Sequence, residues 1–159
     1  MNRALVAPIL TILLILVQGC ATGGEVKIRP GMKIALTSVF VDDPTKAHAF
    51  YTEVLGFKSK QFDPDGQLAV VVSAADPDGT ALLLEPRGDG FAKQYQEEVY
   101  KAGLPIIVFG VSDIASEKKR LKVKGVKFRE DLTKKEWGLD NLFEDTSGNI
   151  IMLEEISAD

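Results

Sequence analysis

Few side chains in this 159-residue sequence are equipped for chemistry, and the scarce types occur singly: His48, Cys20 and Trp137 are its one histidine, one cysteine and one tryptophan. A nucleophile needs a neighbouring base, and no serine elbow, second cysteine or carboxylate stands at a spacing from His48 that builds a triad. His48 lies inside a helical segment, one residue before Ala49 and two before Phe50, a register that places it on a partly exposed face. One thiol cannot form an intramolecular disulfide, and no Cys and His spacing here supplies a structural zinc site. Cys20 needs another explanation.

That explanation lies in the residues before it. Met1 to Cys20 reads MNRALVAPILTILLILVQGC: Arg3 is a positive n-region, Ala4 to Val17 an apolar stretch, and Val17-Gln18-Gly19-Cys20 a small-residue cleavage site. The apolar stretch is shorter than the roughly 20 residues that cross hydrocarbon, and Pro8 interrupts it, so a secretory signal is the first reading and a transmembrane helix the second. The Gly19-Cys20 close resembles a bacterial lipobox, which implies that Cys20 is acylated and becomes the new N-terminus; the bland alternative is an ordinary small residue beside a cleavage site. Residues 1–19 are then a lipoprotein signal and 20–31 a tether, beginning Ala21-Thr22-Gly23-Gly24. A chain so anchored is expected in the cell envelope; Ala21 after Cys20 leans towards the periplasmic side of the outer membrane in a Gram-negative host.

The remainder is one domain by length, expected over residues 32–157. With 45% hydrophobic, 26% charged and 8% aromatic residues the chain has the material for a core. A net charge of −4, with both signs scattered, offers no basic face to a phosphate backbone and argues against nucleic acid as a partner.

Residues 33–87 and 105–156 repeat one order, strand, helix and three strands, joined by a linker over 88–104 that holds a helix at Phe91–Gly103. In the first half a strand over Lys33–Val41 is stopped by Asp42-Asp43-Pro44, a helix runs over Pro44–Leu55, and Gly56 ends it. Asp63-Pro64-Asp65-Gly66 and Asp76-Pro77-Asp78-Gly79 are tight turns bracketing a strand at Gln67–Ala74, and Thr80–Glu85 is the last strand. In the second half the strands are expected at Pro105–Val111, Val126–Arg129, Asn141–Asp145 and Ile150–Glu155, with a helix over Ile114–Lys124. The linker's Phe91, Tyr95, Val99 and Tyr100 read as a core stripe, and Phe40, Phe50 and Tyr51 as one layer between helix and sheet.

Phe50-Tyr51-Thr52-Glu53-Val54-Leu55-Gly56-Phe57 resembles the FYxxxLGF signature of the vicinal oxygen chelate (glyoxalase/bleomycin resistance protein/dioxygenase) superfamily. Leu121, Gly125 and Val126, and Asp145-Thr146-Ser147-Gly148-Asn149 before the final strand, extend the resemblance over Met32 to Glu155. It implies an α+β fold of two βαβββ modules forming an open cup-shaped mixed sheet, often completed by dimerisation, with Trp137 in the loop that caps the cup. Most enzymes of that superfamily hold one divalent metal through His, Gln or Glu on four strands. Mapped onto this chain, those positions are Leu36 and Ile106, each seven before a capping Asp, with Leu83 and Met152. None can ligate a hard cation.

Two residues along the same faces lie Ser38, Glu85, Val108 and Glu154. The two carboxylates have four readings: a weak site for Ni, Zn, Mn or Fe, a general acid and base, anchors for a cationic ligand, or solvated strand ends. The expected function is therefore a membrane-anchored domain, without the usual metal or other cofactor, whose pocket of Leu36, Ser38, Leu83, Glu85, Ile106, Val108, Trp137, Met152 and Glu154 binds a small apolar or aromatic molecule, as a homodimer. The alternatives are a metal-dependent lyase or dioxygenase of the same superfamily, with Glu85 and Glu154 as its ligands, and an envelope interaction module.

Overall fold

The computed structural model describes residues 31–129, 131–135 and 138–156; the expected signal segment, Cys20, nearly all of the tether and Trp137 lie outside them. Residues 33–159 form one compact unit. No helix among the described residues is long and apolar enough to cross a membrane.

The strand-helix-three-strands order appears twice. In the first module β1 (Leu36–Val41) leads into α1 (Pro44–Ala49), followed by β2 (Lys58–Asp63), β3 (Leu68–Val72) and β4 (Ala81–Pro86). Asp43 caps α1 by accepting from the backbone N–H of Thr45 and Lys46, both at 3.0 Å, and Pro44 sits where its missing N–H costs nothing. The helix then widens into a π-helix over Phe50–Leu55, a departure from the single helix expected over Pro44–Leu55. Gly56, with φ at +90°, closes it in the left-handed region.

The linker helix α2 (Phe91–Lys101) joins this module to β5 (Ile107–Val111), α3 (Ile114–Val123), β6 (Thr133–Lys135), β7 (Gly138–Glu144) and β8 (Ile150–Glu155). The sheets are ordered β1-β4-β3-β2 and β5-β8-β7-β6, and in each the first pair is parallel and the others antiparallel. This is the mixed α+β architecture of paired βαβββ modules that the repeat predicts, with the eight strands divided into two four-stranded sheets.

Val126–Arg129 is not a strand: it contributes one bridge, Phe128 to Phe143, and β6 forms later. The segment is spent on burial, since Val126 enters the core and Phe128 packs at a tilt against Phe143, with centroids 5.6 Å apart, beneath the Lys118 ammonium. The linker stripe is corrected too. α2 buries Ala92 and Gln96, whereas Phe91 and Tyr95 are 80% and 51% exposed, Tyr100 is exposed and Val99 half-buried.

Period-2 alternation decides what each sheet faces. Val39, Val41, Ala69, Val71, Leu82 and Leu84 of the first sheet, Phe143, Ile151 and Leu153 of the second, and Ala47, Tyr51, Ile114, Leu121 and Val126 form one core cluster. Each large side chain buried there contributes about 1.5–3 kcal/mol. Because both modules turn their helix-covered faces into one core, the opposite face of each sheet points outward.

Polar contacts lock the modules together. Arg120 of α3 donates to the carbonyls of Val54 and Leu55, at 2.9 and 3.1 Å, and Lys124 to that of Glu53 at 3.0 Å, capping the π-helix with charge. In the interior, the Tyr51 hydroxyl donates to Asp145 at 3.2 Å, Asn149 Nδ2 donates to Asp145 and to the Phe40 carbonyl, and Gln96 Nε2 reaches Asn149 at 2.7 Å.

Candidate functional site

The residues nominated from sequence fall on the outward faces. In the first sheet Leu36 stands opposite Ala81, Ser38 opposite Leu83 and Phe40 opposite Glu85 across the β1–β4 pair. In the second, Val108 stands opposite Met152, and Gly110 opposite Glu154, across β5–β8. Alternation therefore gathers Leu36, Ser38, Leu83 and Glu85 on one face and Val108, Met152 and Glu154 on another. Ile106 precedes β5 and packs half-buried against the core margin. Within one chain the two groups lie on separate sheets.

Both faces carry apolar side chains, some buried and some exposed. Val70, Val72 and Ala81 make a second small cluster, with Leu68 and Leu83 packed on it. Leu36 and Val108 remain 48% and 44% exposed, and Leu83 and Met152 are half-buried. At one corner of the first face Phe40 meets Phe91 and Tyr95 edge-on, with centroids 6.3 and 6.5 Å apart. Phe40 was expected in the layer beneath the helix. Its neighbours Val39 and Val41 take the inward positions, which forces Phe40 outward; Tyr51 and Phe50 do join the core as expected.

On the second sheet the sequence reading missed Asp140. The strand expected from Asn141 begins at Gly138, and this places Asp140 directly opposite Glu154 across β7–β8. Asp140 is 4% exposed, and its side chain has no hydrogen bond or ion pair among the described residues. The signal that would have found it is the alternation Asp140-Leu142-Glu144 on one face and Asn141-Phe143 on the other. Glu85 and Glu154 are half-buried and likewise unpaired among the described residues.

The positions where the superfamily's enzymes hold a metal do not fit one here. Leu36, Leu83 and Ile106 carry hydrocarbon, and the Met152 thioether is a soft donor that a hard divalent cation does not select. Among the described residues no group of three or more His, Cys, Asp or Glu side chains is placed to hold a metal ion.

His48 is occupied structurally. Its ring stacks on Phe62 at 4.0 Å with an interplanar angle of 11°, and Nε2 lies 2.8 Å from the Ser59 hydroxyl. Partial burial lowers its pKa below the usual histidine value, with Glu53 acting in the opposite direction, so at neutral pH the ring is uncharged. Asp145, deep in the module junction, is pushed up by burial although donors from Asn149, Ser147 and Tyr51 pull it back. Tyr51 is raised well above the usual phenol value by burial and by the Asp145 charge. These groups hold the modules in register and lie on the core side, away from the open faces.

A crevice of about 240 Å³ between the modules is lined by Leu55, Phe57, Phe109, Glu117, Phe143 and Leu153 among others, and contains none of the sequence-nominated residues. Glu117 is engaged there by Arg120 at 2.6 and 2.8 Å, so it offers no free charge.

Comparison with known proteins follows this geometry. The model of the Glyoxalase/Bleomycin resistance protein/Dioxygenase superfamily matches residues 33–153. YurT, an uncharacterized protein of Bacillus subtilis (strain 168), is 47% identical over 124 residues, covering 77% of this chain and 98% of YurT. The crystal structure of UcmS2 superposes with a TM-score of 0.67 at 24% identity, over 78% of this chain and 98% of that one. TnmS3, an antibiotic binding protein from Streptomyces sp. CB03234, superposes with a TM-score of 0.61 at 25% identity, over 81% of this chain and 99% of that one. With the family signature in its π-helix, two βαβββ modules and a match spanning nearly the whole folded unit, the chain belongs to the glyoxalase/bleomycin resistance protein/dioxygenase superfamily.

Proposed function

We propose that this protein is a binding module that sequesters a small apolar or aromatic molecule on its outward sheet faces, held in the cell envelope by a lipid on Cys20. One observation carries the reading: the positions that would hold a metal in this superfamily are apolar, and the faces bearing them leave Leu36 and Val108 exposed. The exposed apolar surface of Leu36 and of half-buried Leu83 gains by being covered, at about 25 cal/mol per Å² removed from water. Polar ligand groups left unpaired there would cost about 1–3 kcal/mol each, which selects apolar and flat bodies. That TnmS3 is an antibiotic binding protein of the same superfamily supports this class of ligand.

The occupied state is a homodimer in which the first sheet of one copy faces the second sheet of its partner, so that Leu36, Leu83, Val108 and Met152 enter one cup. Exposure of apolar side chains on both faces of the single chain supports that pairing. The signal-like start of the sequence supports the anchor, because dual or triple acylation keeps a domain on its membrane.

The test is a titration of the full chain with the neutral fluorophore N-phenyl-1-naphthylamine, with sedimentation alongside. Saturable binding by a dimer, lost in Leu83→Asp and Met152→Lys variants that still melt cooperatively, is the expected result. Unaltered binding in both variants would remove the outer faces from consideration. Mass spectrometry of the mature N-terminus in cells checks the anchor: a diacylglyceryl mass on Cys20, absent in Cys20→Ala, is expected.

A further inference from the structure

The even scatter of charge expected from composition fails in one place. From Lys118 to Arg129 the chain reads KKRLKVKGVKFR, which holds seven of its 19 basic residues and no acid. Removing those seven from a net charge of −4 leaves −11 on the rest of the chain, so charge is strongly polarised towards one short segment.

Four of the seven have structural partners. Lys118 is buried, 3.6 Å from Asp131 and over the Phe128 ring. Arg120 and Lys124 donate to carbonyls of the π-helix, and Arg129 pairs with Glu144 at 3.7 Å and lies over Tyr100. Lys119, Lys122 and Lys127 are exposed and have no partner among the described residues.

Ile114, Lys118 and Leu121 turn one side of α3 into the core. Ser116, Lys119 and Val123 follow at three- and four-residue spacing on the solvent side, where Val123 stands 85% exposed. Shallow grooves flank that valine, one lined by Lys119 and Lys122, the other by Lys119, Arg120 and Lys124. Lys124 continues into a third groove with Lys127 and Arg129, so the basic strip is unbroken. An exposed valine ringed by ammonium groups on long stems suits a surface that is anionic outside and apolar just beneath.

We infer that the α3 strip docks this domain on an anionic phospholipid bilayer, with Lys119, Lys122 and Lys127 on headgroup phosphates and Val123 entering the headgroup layer. Charge complementarity alone would also suit a nucleic acid, but a phosphate backbone gives the central valine nothing to enter. The start of the sequence favours the bilayer as well: residues 20–31 after the lipobox-like close span at most about 40 Å, which keeps the domain beside the membrane that would hold Cys20. The inference shares only this envelope location with the binding reading above. No residue of the strip belongs to the nominated pocket, so the two fail separately.

The test uses the full chain with Cys20→Ala and Val123→Cys, its single thiol labelled with the environment-sensitive fluorophore NBD. Vesicles of phosphatidylglycerol and phosphatidylcholine in equal parts should shift the emission to the blue and shield the label from an aqueous quencher. Pure phosphatidylcholine vesicles should do neither, although the apolar start of the chain can enter both kinds. Each lysine near an anionic surface strengthens attachment roughly fivefold. Lys119→Gln, Lys122→Gln and Lys127→Gln together should therefore weaken the response roughly a hundredfold, and sodium chloride should weaken it in the parent. That triple variant should melt, and bind N-phenyl-1-naphthylamine, as the parent does. In the unsubstituted chain, anionic vesicles should protect Lys119, Lys122 and Lys127 from acetic anhydride and leave the exposed Lys58 and Lys60 of β2 reactive. No response to anionic vesicles, or equal responses to both kinds, would overturn the inference and leave the ligand-binding reading standing. A short DNA duplex that elicits the shift at a lower phosphate concentration than the vesicles would overturn it by making the strip a nucleic-acid site.

Discussion

Replacing Tyr51 with phenylalanine removes one oxygen from a fully buried side chain and leaves the ring, so no cavity opens. What is lost is one of four donors to Asp145. Its Oδ1 keeps the backbone N–H of Ser147 and Asn149, at 2.8 and 2.9 Å, and its Oδ2 keeps Asn149 Nδ2 at 2.8 Å. A hydrogen bond to a charged group contributes about 1.5–3 kcal/mol, and Tyr51→Phe should cost about that much. For a folded unit of this size that corresponds to a drop of roughly 5–12 °C in Tm. Urea unfolding followed by circular dichroism across a pH series measures it. The sign of the pH dependence is fixed by Asp145, whose pKa in the folded chain is raised above the ordinary 3.8 by burial. A raised carboxyl favours the fold when protonated and loses that advantage as pH rises through the folded value. Tyr51 opposes the rise by bonding the ionised form, so the deficit of Tyr51→Phe should be small in acid and grow as Asp145 ionises. A deficit below about 0.5 kcal/mol, or one that does not change with pH, would refute this account of the module junction. A double-mutant cycle with Asp145→Asn should show coupling above about 1 kcal/mol.

Other outcomes follow from the same geometry. Gly56→Ala places a Cβ in the left-handed region at φ +90° and should cost about 1–2 kcal/mol by chemical denaturation, with little else changed, since the space around it is open. Leu84→Ala, fully buried between the first sheet and α1, should cost about 2–5 kcal/mol, whereas Leu36→Ala on the outward face should leave unfolding nearly unchanged. His48 should titrate below 6.5 in an NMR series, and because the folded chain then takes up its proton less readily than the unfolded, its contribution to stability is full above 6.5 and falls as pH drops through that value. His48→Gln should flatten the curve between pH 7 and 5; a His48 pKa above 6.5 would reverse the sign.

Local punctuation made most of the fold legible. Asp43-Pro44, Gly56, the two Asp-Pro-Asp-Gly turns and the Thr146-Ser147-Gly148-Asn149 turn act on the backbone within a few residues, and every element they bound is present, within a few residues of its expected ends. Signals weaker than these failed in recognisable ways. Val126–Arg129 has the apolar content of a strand, but a ladder depends on a distant partner, and Phe143 offers it one rung. Phe91 and Tyr95 have helical spacing, yet spacing does not say which face meets the sheet; α2 buries Ala92 and Gln96, the latter held by Arg87 and Asn149.

The sequence by itself determined the repeated module, the family signature and the apolar character of the positions where that family binds metal, because these depend on residue types and short-range order. Alternation within a strand also settles which residues of that strand share a face, Leu36 with Ser38 and Met152 with Glu154, whereas the pairing of Ser38 with Leu83 and of Val108 with Met152 belongs to the sheet. Only the tertiary structure decided that both modules turn their helix-covered sides into one core. That choice minimises exposed apolar surface around Tyr51, Phe143 and Leu153, and it sends the nominated pocket residues outward on two separate sheets. It also set Asp140 against Glu154, because β7 begins at Gly138, three residues before the expected strand, and so carries Asp140 into the ladder.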